Sequence, residues 1–126
     1  MINEAYEMVA LFQEFANQPV SKSPRQLDPE RVTIRATWMM EELAEFVNAD
    51  SVYDQADSLT DLLYYLLGAF VEMGIKPDSL FEIVHSANMR KVTATSGIIT
   101  DSTGKVQKPP EWKHPDEEIK SVIDSL

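Results

Sequence analysis

The stretch WMMEELAEF, residues 38–46, places three glutamates in an otherwise apolar run. In an α-helix, where successive residues turn by about 100°, Glu41, Glu42 and Glu45 span only about 100° of the surface and share one face. No lysine or arginine follows until Lys76. The stretch therefore predicts a helix with one face of carboxylates that have no local positive partner.

Composition narrows the class of protein. The chain has 126 residues, a net charge of −10 and no cysteine, which predicts one cytoplasmic domain without disulfides or thiolate–zinc sites. Such an acidic chain is not expected to bind nucleic acid, because neutralising phosphates needs a basic surface. No apolar run reaches the roughly 18 residues that span a bilayer, and the acidic amino terminus does not resemble a signal peptide.

Helical periodicity extends over the first ninety residues, and capping signals divide it into four helices. The first is predicted to end near Asn17. The second begins at Pro29, behind an Asp28 N-cap, and runs to about Ala49. The third is capped within residues 51–54 and stops at Gly74, in the left-handed position that terminates helices.

Pro77 opens the fourth predicted helix, which ends near Lys91. Its predicted buried face is formed by Leu80, Phe81, Val84 and Ala87. Beyond it the chain becomes β-prone around a DSTG turn and then rich in proline, with a last short helix from Asp116. These patterns predict an all-α four-helix bundle over residues 1–92 and an irregular arm over residues 93–126 of the same domain.

The third helix has an acidic stripe of its own, formed by Asp54, Asp57 and Asp61 and continued by Tyr64 or Tyr65. A short connection makes the second and third helices antiparallel neighbours. Counted from the turn at 1.5 Å per residue, Glu42 lies about 12 Å up one helix, and Asp57 and Asp61 lie about 10 and 16 Å up the other. The two sets of carboxylates are therefore expected at one level, facing each other.

Carboxylates gathered at one level repel each other unless they are protonated or neutralised. A hard divalent cation is the natural counter-charge, and magnesium, with manganese as the alternative, binds a few carboxylates together with water and substrate phosphate. The other interpretation is two solvated acidic faces that point in different directions. A di-iron site is disfavoured, because Glu82–His85 supplies the required Glu-x-x-His spacing only once.

The segments EELAEF, DQADSLTDLLYYLLGAFVEMGI and HSANMRKV together resemble the all-α nucleoside-triphosphate pyrophosphohydrolases of the MazG type, within them the phosphoribosyl-ATP pyrophosphohydrolase-like branch. The resemblance covers nearly the whole chain. The Glu-Glu-x-x-Glu motif of the family matches Glu41, Glu42 and Glu45. Of its Glu-x-x-Asp motif only Asp61 matches, because Ser58 stands where the family has glutamate, and the adjacent Asp57 is a candidate substitute.

The resemblance implies magnesium-dependent hydrolysis of a nucleoside triphosphate to the monophosphate and pyrophosphate. Glu42, Glu45, Asp61 and then Asp57 are the expected metal ligands, and Glu41 is a further ligand or the base that orients the attacking water. Two basic or polar residues near the end of the fourth helix would then bind substrate, Asn88 the nucleotide and Lys91 its phosphates. A lysine at a helix carboxyl end is also favourable by itself, through the helix dipole.

Further candidate contacts come from the arm and from aromatic residues. Lys108 belongs to a basic group in the arm that could close over the phosphates or remain a solvated tail. Trp38, Tyr64 and Tyr65 are candidates for stacking on a base, although aromatic residues at helical spacing also build cores. Nucleotide-pool house-cleaning is the preferred role, and phosphoribosyl-ATP hydrolysis in histidine biosynthesis is the alternative.

The apolar surface of the third helix predicts an assembly. Residues 62–70 are apolar nearly all round, which is typical of a helix buried on several sides. We therefore expect at least a homodimer, in which Gly68 would permit close approach of the partner's backbone. A non-catalytic helical scaffold that dimerises through this surface is the rival interpretation from another class of protein.

Overall fold

A computed structural model describes all residues, 1–126, and its regular structure is helical. The five helices are α1 (Asn3–Phe15), α2 (Pro29–Asn48), α3 (Val52–Met73), α4 (Asp78–Val92) and α5 (Asp116–Asp124). The β-prone part of the arm forms one isolated antiparallel bridge, between Thr100 and Val106. The predicted all-α class is confirmed.

The ends of the helices follow from local chemistry. Asp28 occupies the N-cap of α2 in an extended conformation, with proline at the first helical position. At the start of α3 the Ser51 hydroxyl accepts a hydrogen bond from the Asp54 backbone N–H at 3.0 Å. Gly74 ends α3 with φ +70°, the left-handed conformation that glycine adopts at little cost. These caps confirm the predicted boundaries of both helices.

Contacts within the chain divide it into two compact units. The first, Met1–Pro77, contains α1, α2 and α3, and the second, Asp78–Leu126, contains α4, α5 and the arm between them. The predicted boundary, with a bundle over residues 1–92 and an arm over residues 93–126, stays a prediction.

In the first unit, α3 packs against both α1 and α2. The core between α1 and α3 consists of five buried residues, Tyr6, Val9, Ala10, Leu67 and Val71. The loop after α1 is fixed to the end of α3, where the Ser21 N–H donates to the Val71 carbonyl at 3.1 Å and the Arg25 N–H donates to the Met73 carbonyl at 2.9 Å. This arrangement holds α3 between its two neighbours and sets the position of its polar residues against α2.

Burial in the second unit differs from the prediction for the fourth helix. Only Ala87 of the predicted face is buried, whereas Phe81 and Val84 are 56% and 44% exposed. The prediction was wrong for these two residues in the isolated chain, because helical periodicity identifies an apolar face but not what covers it.

No single helix is long and apolar enough to cross a membrane.

Candidate functional site

Three carboxylates from α2 and α3 meet in the first unit. One carboxylate oxygen from each of Glu42, Glu45 and Asp61 lies within 4.8 Å of the other two. We call these three residues the acidic cluster. Glu42 and Glu45 lie three residues apart on α2, and Asp61 comes from the antiparallel α3, so the short connection between the helices produces the juxtaposition that the sequence predicts.

The acidic cluster is electrostatically unbalanced. Oε2 of Glu42 is buried and has no hydrogen-bond partner. Desolvation raises the pKa of the Glu42 carboxyl, with further contributions from a hydrogen bond with Glu45 and from the negative charges of Glu45, Asp61 and Asp57. A buried oxygen with lone pairs, no donor and three acidic neighbours is suited to accept a positively charged ligand.

The geometry of the acidic cluster fits a small divalent cation. Magnesium binds oxygen at 2.0–2.1 Å, so two ligands on opposite sides of one ion lie about 4.2 Å apart. The 4.8 Å spread of the three oxygens would close to this value by small side-chain movements. A donor set made only of carboxylates favours magnesium or manganese over softer metals.

The other acidic candidates lie outside the acidic cluster. Glu41 is exposed on α2, and Asp57 is exposed on α3 but close enough for its charge to raise the Glu42 pKa. Ser58, at the position where the family resemblance expects glutamate, is buried and donates its hydroxyl hydrogen to the Asp54 carbonyl at 2.9 Å. The serine is therefore part of the packing of α3.

A second cluster of charged residues lies farther along the same helix pair. Glu72 of α3 is buried, and Arg31 donates to both of its carboxylate oxygens at 2.9 Å. Arg35, which is 3% exposed, donates to the same carboxylate through Nε. Burial acts to raise the pKa of Glu72, but the hydrogen bonds from the two arginines outweigh it, so the pKa lies below its usual value. We call these three residues the guanidinium network.

Two further residues surround Arg35 of the guanidinium network: one forms hydrogen bonds, and the other leaves space for the side chain. Gln13 of α1 accepts a hydrogen bond from Nη2 of Arg35 at 2.8 Å and donates to the Pro19 carbonyl at 2.8 Å. A Cβ at Gly68 would lie 2.4 Å from Nη1 of Arg35, so only glycine leaves space for the guanidinium. Gly68 therefore permits the close approach of a side chain of its own chain, which corrects the expectation that it serves a partner's backbone.

The aromatic candidates line a cavity between the three helices of the first unit. Trp38 lies beneath the guanidinium of Arg35, 4.9 Å from ring centroid to Cζ, and its ring lies 5.7 Å from that of Tyr65. Tyr64 packs edge-on against Phe12 with the ring centroids 5.5 Å apart. The cavity has a volume of about 120 Å³. Because a cation already covers the Trp38 ring, the two tyrosines are the less obstructed stacking surfaces.

The remaining candidates lie in the second unit, around Trp112. Its indole N–H donates to the Ala87 carbonyl at 2.8 Å, which fixes the arm against α4. The ammonium groups of Lys91 and Lys108 lie 4.9 and 5.5 Å from the Trp112 ring centroid. Asn88 is exposed, and so is His85. The structure thus brings the two predicted lysines together on one ring.

Sequence reasoning missed Glu72, Gln13 and Gln18 as partners of Arg35. A signal for the first two was present in the sequence. Glu72 is the only charged residue between Asp61 and Lys76, and Gln13 interrupts the helical face that Val9 begins. A lone polar group in an apolar face indicates a buried hydrogen-bonded partner, although it does not say which one.

The structure combines an all-helical fold with a cluster of carboxylates from two antiparallel helices. The model of the phosphoribosyl-ATP pyrophosphohydrolase family matches residues 9–88, which include the acidic cluster and the guanidinium network. The chain belongs to this family, and it is a pyrophosphohydrolase. The predicted resemblance is confirmed, and family membership favours the enzyme over the non-catalytic scaffold.

A solved structure supports the same assignment. The crystal structure of a protein from Exiguobacterium sp. 255-15, named a "putative NTP pyrophosphohydrolase", matches with a TM-score of 0.50 and 26% sequence identity, covering 95% of this chain and 94% of that one. No curated protein sequence matches this chain. The similarity supports the all-α fold of a pyrophosphohydrolase.

Proposed function

We propose that this enzyme hydrolyses nucleoside or deoxynucleoside triphosphates to the monophosphate and pyrophosphate, with magnesium as cofactor and manganese as the alternative. The observation that carries the proposal is the acidic cluster: three carboxylates share 4.8 Å of space, and one buried oxygen lacks a donor. Repulsion among these carboxylates lowers the stability of the folded state, and a bound cation would remove that repulsion.

Glu42, Glu45 and Asp61 are the proposed ligands. A bound cation would neutralise charge on the triphosphate and lower the pKa of a water molecule. Glu41 is the proposed base, since it is exposed beside the cluster and its carboxylate can take the proton of the attacking water. The water oxygen forms a new bond to phosphorus, the α–β anhydride bond breaks, and pyrophosphate leaves with the electron pair. Asp57 would add negative charge near the cation.

Phosphate and nucleotide contacts are proposed for residues of the second unit. Lys91 and Lys108 carry the positive charge that phosphate requires, and Asn88 offers an amide for hydrogen bonds with the nucleotide. Both lysines lie over Trp112, an interaction worth only about 0.5–1 kcal/mol at exposed sites. They can therefore leave the ring for a phosphate at small cost.

A homodimer is proposed to cover the apolar surface of the first unit. Leu59, Leu63 and Leu66 of α3 are 48%, 50% and 41% exposed, and Val47 of α2 is 74% exposed. Leu59, Leu63 and Leu66 share one face of α3 by their spacing, and exposed apolar faces mark association surfaces in soluble proteins. Light scattering at micromolar concentration should give at least twice the 14.3 kDa chain mass, and a strictly monomeric protein would contradict the dimer.

The substrate has two candidates. House-cleaning of the nucleotide pool requires a (d)NTP, whereas the family name favours phosphoribosyl-ATP. We prefer the first, and the two differ in what they predict for a substrate panel. Phosphoribosyl-ATP carries a bulky substituent on its purine, whereas an ordinary triphosphate does not.

The test is pyrophosphate release from the four common deoxynucleoside triphosphates, their ribose counterparts and phosphoribosyl-ATP, each with magnesium, with manganese and with a chelator. We expect metal-dependent release from at least one ordinary triphosphate, at a kcat/KM above that for phosphoribosyl-ATP. Turnover in excess chelator would refute the metal, and turnover of phosphoribosyl-ATP alone would establish the alternative substrate.

A further inference from the structure

The cavity between α1, α2 and α3 lies directly beside the acidic cluster. Six of its lining residues are Phe12, Gln18, Arg35, Trp38, Tyr64 and Tyr65. Trp38 precedes Glu42 by four residues on α2, and Tyr65 follows Asp61 by four residues on α3. Residues four apart share a helix face, so the cavity wall begins one turn, about 6 Å, from the acidic cluster. We call this space the side cavity.

The distance between the acidic cluster and the side cavity suits a nucleotide whose triphosphate lies at the cluster. If the triphosphate lies at the acidic cluster, the next group along the molecule is a sugar, and the base follows it. One helical turn is comparable to the length of a ribose. A nucleotide bound along the two helices would therefore place its base at the mouth of the side cavity.

The side cavity is small. Its volume of about 120 Å³ is well below the roughly 300–1,000 Å³ of pockets that hold drug-sized ligands. It is closer to the engineered cavity of about 150 Å³ in another protein that holds benzene, a single six-membered ring. A fused two-ring base would exceed it, whereas a single six-membered ring fits. Among nucleotides, single-ring bases are the pyrimidines.

The lining supplies both stacking surfaces and a hydrogen-bond donor. The rings of Tyr64 and Tyr65 offer aromatic surface for a flat ligand. Arg35 uses Nε for Glu72 and Nη2 for Gln13 and Gln18, whereas Nη1 takes part in none of these bonds. A charged donor at the wall of a cavity suits a ring carbonyl, which every pyrimidine base carries.

We propose that the side cavity binds the base of the substrate and makes the enzyme selective for pyrimidine over purine nucleoside triphosphates. This inference rests on the proposed function, since it names the substrate class of the same site. Arg35 has two roles in this proposal: its salt bridge to Glu72 holds the guanidinium in place, and the guanidinium edge that lines the cavity donates to the base.

The experiment measures kcat/KM for pyrophosphate release from dCTP, dUTP, dTTP, dATP and dGTP with magnesium. We expect each pyrimidine to exceed each purine by at least about tenfold, the lower end of what steric exclusion from a pocket provides. Equal rates, or a preference for purines, would overturn the side cavity as base site and leave the proposed function standing. No release from any triphosphate would overturn both.

A variant tests whether the side cavity is the source of the selectivity. Phe12→Ala removes a half-exposed wall of the cavity and should raise the purine-to-pyrimidine ratio of kcat/KM by about tenfold. Phe15→Ala is the matched control, because Phe15 lies on the same helix, is 82% exposed and does not line the cavity. An unchanged ratio in Phe12→Ala, or an equal change in both variants, would overturn the proposal.

Discussion

The helix pair α2–α3 carries two clusters of charged side chains that differ in whether their charges are balanced. In the guanidinium network, Glu72 receives hydrogen bonds from Arg31 and Arg35, and its pKa is lowered. In the acidic cluster, eleven residues or about 17 Å away along α3, Glu42 has a buried oxygen without a donor, and its pKa is raised. The same two helices thus hold one self-sufficient cluster and one that lacks its counter-charge.

The difference distinguishes charge that stabilises the fold from charge that we propose to bind a ligand. A buried carboxylate with two guanidinium partners needs nothing more from outside the chain. Carboxylates that face each other without a cation lower the stability of the folded state until something neutralises them. The unbalanced cluster is therefore where the bound partner is expected, and the balanced one holds the helices in register beside it.

The two clusters also respond to pH with opposite signs. The lowered pKa of Glu72 adds stability that is present above its unfolded value, near 4.5, and is lost as the pH falls through the folded value. The raised pKa of Glu42 means that the folded state binds that proton more tightly. In metal-free buffer, the contribution of Glu42 to the stability of the folded state therefore declines as the pH rises from 4.5 through the raised pKa.

The largest expected effect is on stability, from the guanidinium network. Glu72→Ala would leave Arg31 and Arg35 without their carboxylate, and Arg35 is 3% exposed. We expect a loss of about 3–5 kcal/mol in the free energy of unfolding, measured by urea denaturation, because an unpaired buried charge is strongly destabilising. Glu82→Ala, at an exposed position of α4, is the control and should change it by less than about 0.5 kcal/mol. A loss below about 1 kcal/mol in Glu72→Ala would remove the contrast between the two clusters.

The acidic cluster should give the reverse pattern, with activity lost and stability kept. Asp61→Asn and Glu45→Gln should each lower magnesium-dependent turnover by at least about 100-fold, since even outer partners of a metal site cost 10–100-fold. Their melting temperatures in metal-free buffer should stay equal to that of the wild type or rise, because repulsion is removed. Asp54→Asn, an exposed carboxylate of the same predicted stripe, is the control for turnover.

Cation binding gives a second measurement on the same variants. At a magnesium concentration 100 times its dissociation constant, the wild type should gain about 2.7 kcal/mol of stability. Asp61→Asn should gain far less. Full activity in either variant of the acidic cluster, together with an unchanged response to magnesium, would show that the carboxylates are only a solvated face.

A smaller loss of stability is expected from Gly68→Ala, which tests how tightly the guanidinium network is packed. The added Cβ would lie 2.4 Å from Nη1 of Arg35 and 2.5 Å from Oε1 of Gln13. Such overpacking costs about 1–3 kcal/mol, although alanine is otherwise the better helix former. Thr60→Ala, exposed on the same helix, is the control for urea denaturation. Equal stability of Gly68→Ala and wild type would mean that the arginine moves aside freely.

The smallest effects are expected from the lysines around Trp112, whose charge is neither buried like the guanidinium network nor crowded like the acidic cluster. Lys91→Ala should weaken binding of a poorly hydrolysed triphosphate analogue by about 1.5 kcal/mol, and Lys108→Ala by less than about 1 kcal/mol, with the loss reduced at high salt. Binding calorimetry with the analogue and with its nucleoside separates phosphate contacts from base contacts.

Lys105→Ala is the matched control, an exposed lysine of the same arm that does not lie over Trp112. Unchanged triphosphate affinity in Lys108→Ala would reduce the arm to a tail. Equal losses with triphosphate and nucleoside would show that the lysines do not bind phosphate.

The helices and the opposed carboxylates could be predicted from local patterns in the amino-acid sequence. Asp28 and Pro29 define the start of α2 through their backbone conformation, and Ser51 and Gly74 define the two ends of α3 through a capping hydrogen bond and a left-handed conformation, all of which depend on neighbours in the chain. Once the two ends are known, the short connection and the rise per residue place Glu42 and Asp61 at one level. Periodicity and short-range geometry are sufficient for that much.

The side chains that complete each cluster could not be predicted in this way, because they come from different helices. Arg35 takes its partners from α1, α3 and the loop at Gln18, and these elements come together through the packing of α1 on α3. Packing likewise left Asp57 outside the acidic cluster, turned Gly68 toward Arg35 and enclosed the side cavity beside Trp38. Contacts between residues far apart in the chain depend on how whole helix faces fit together, and no local pattern encodes that fit.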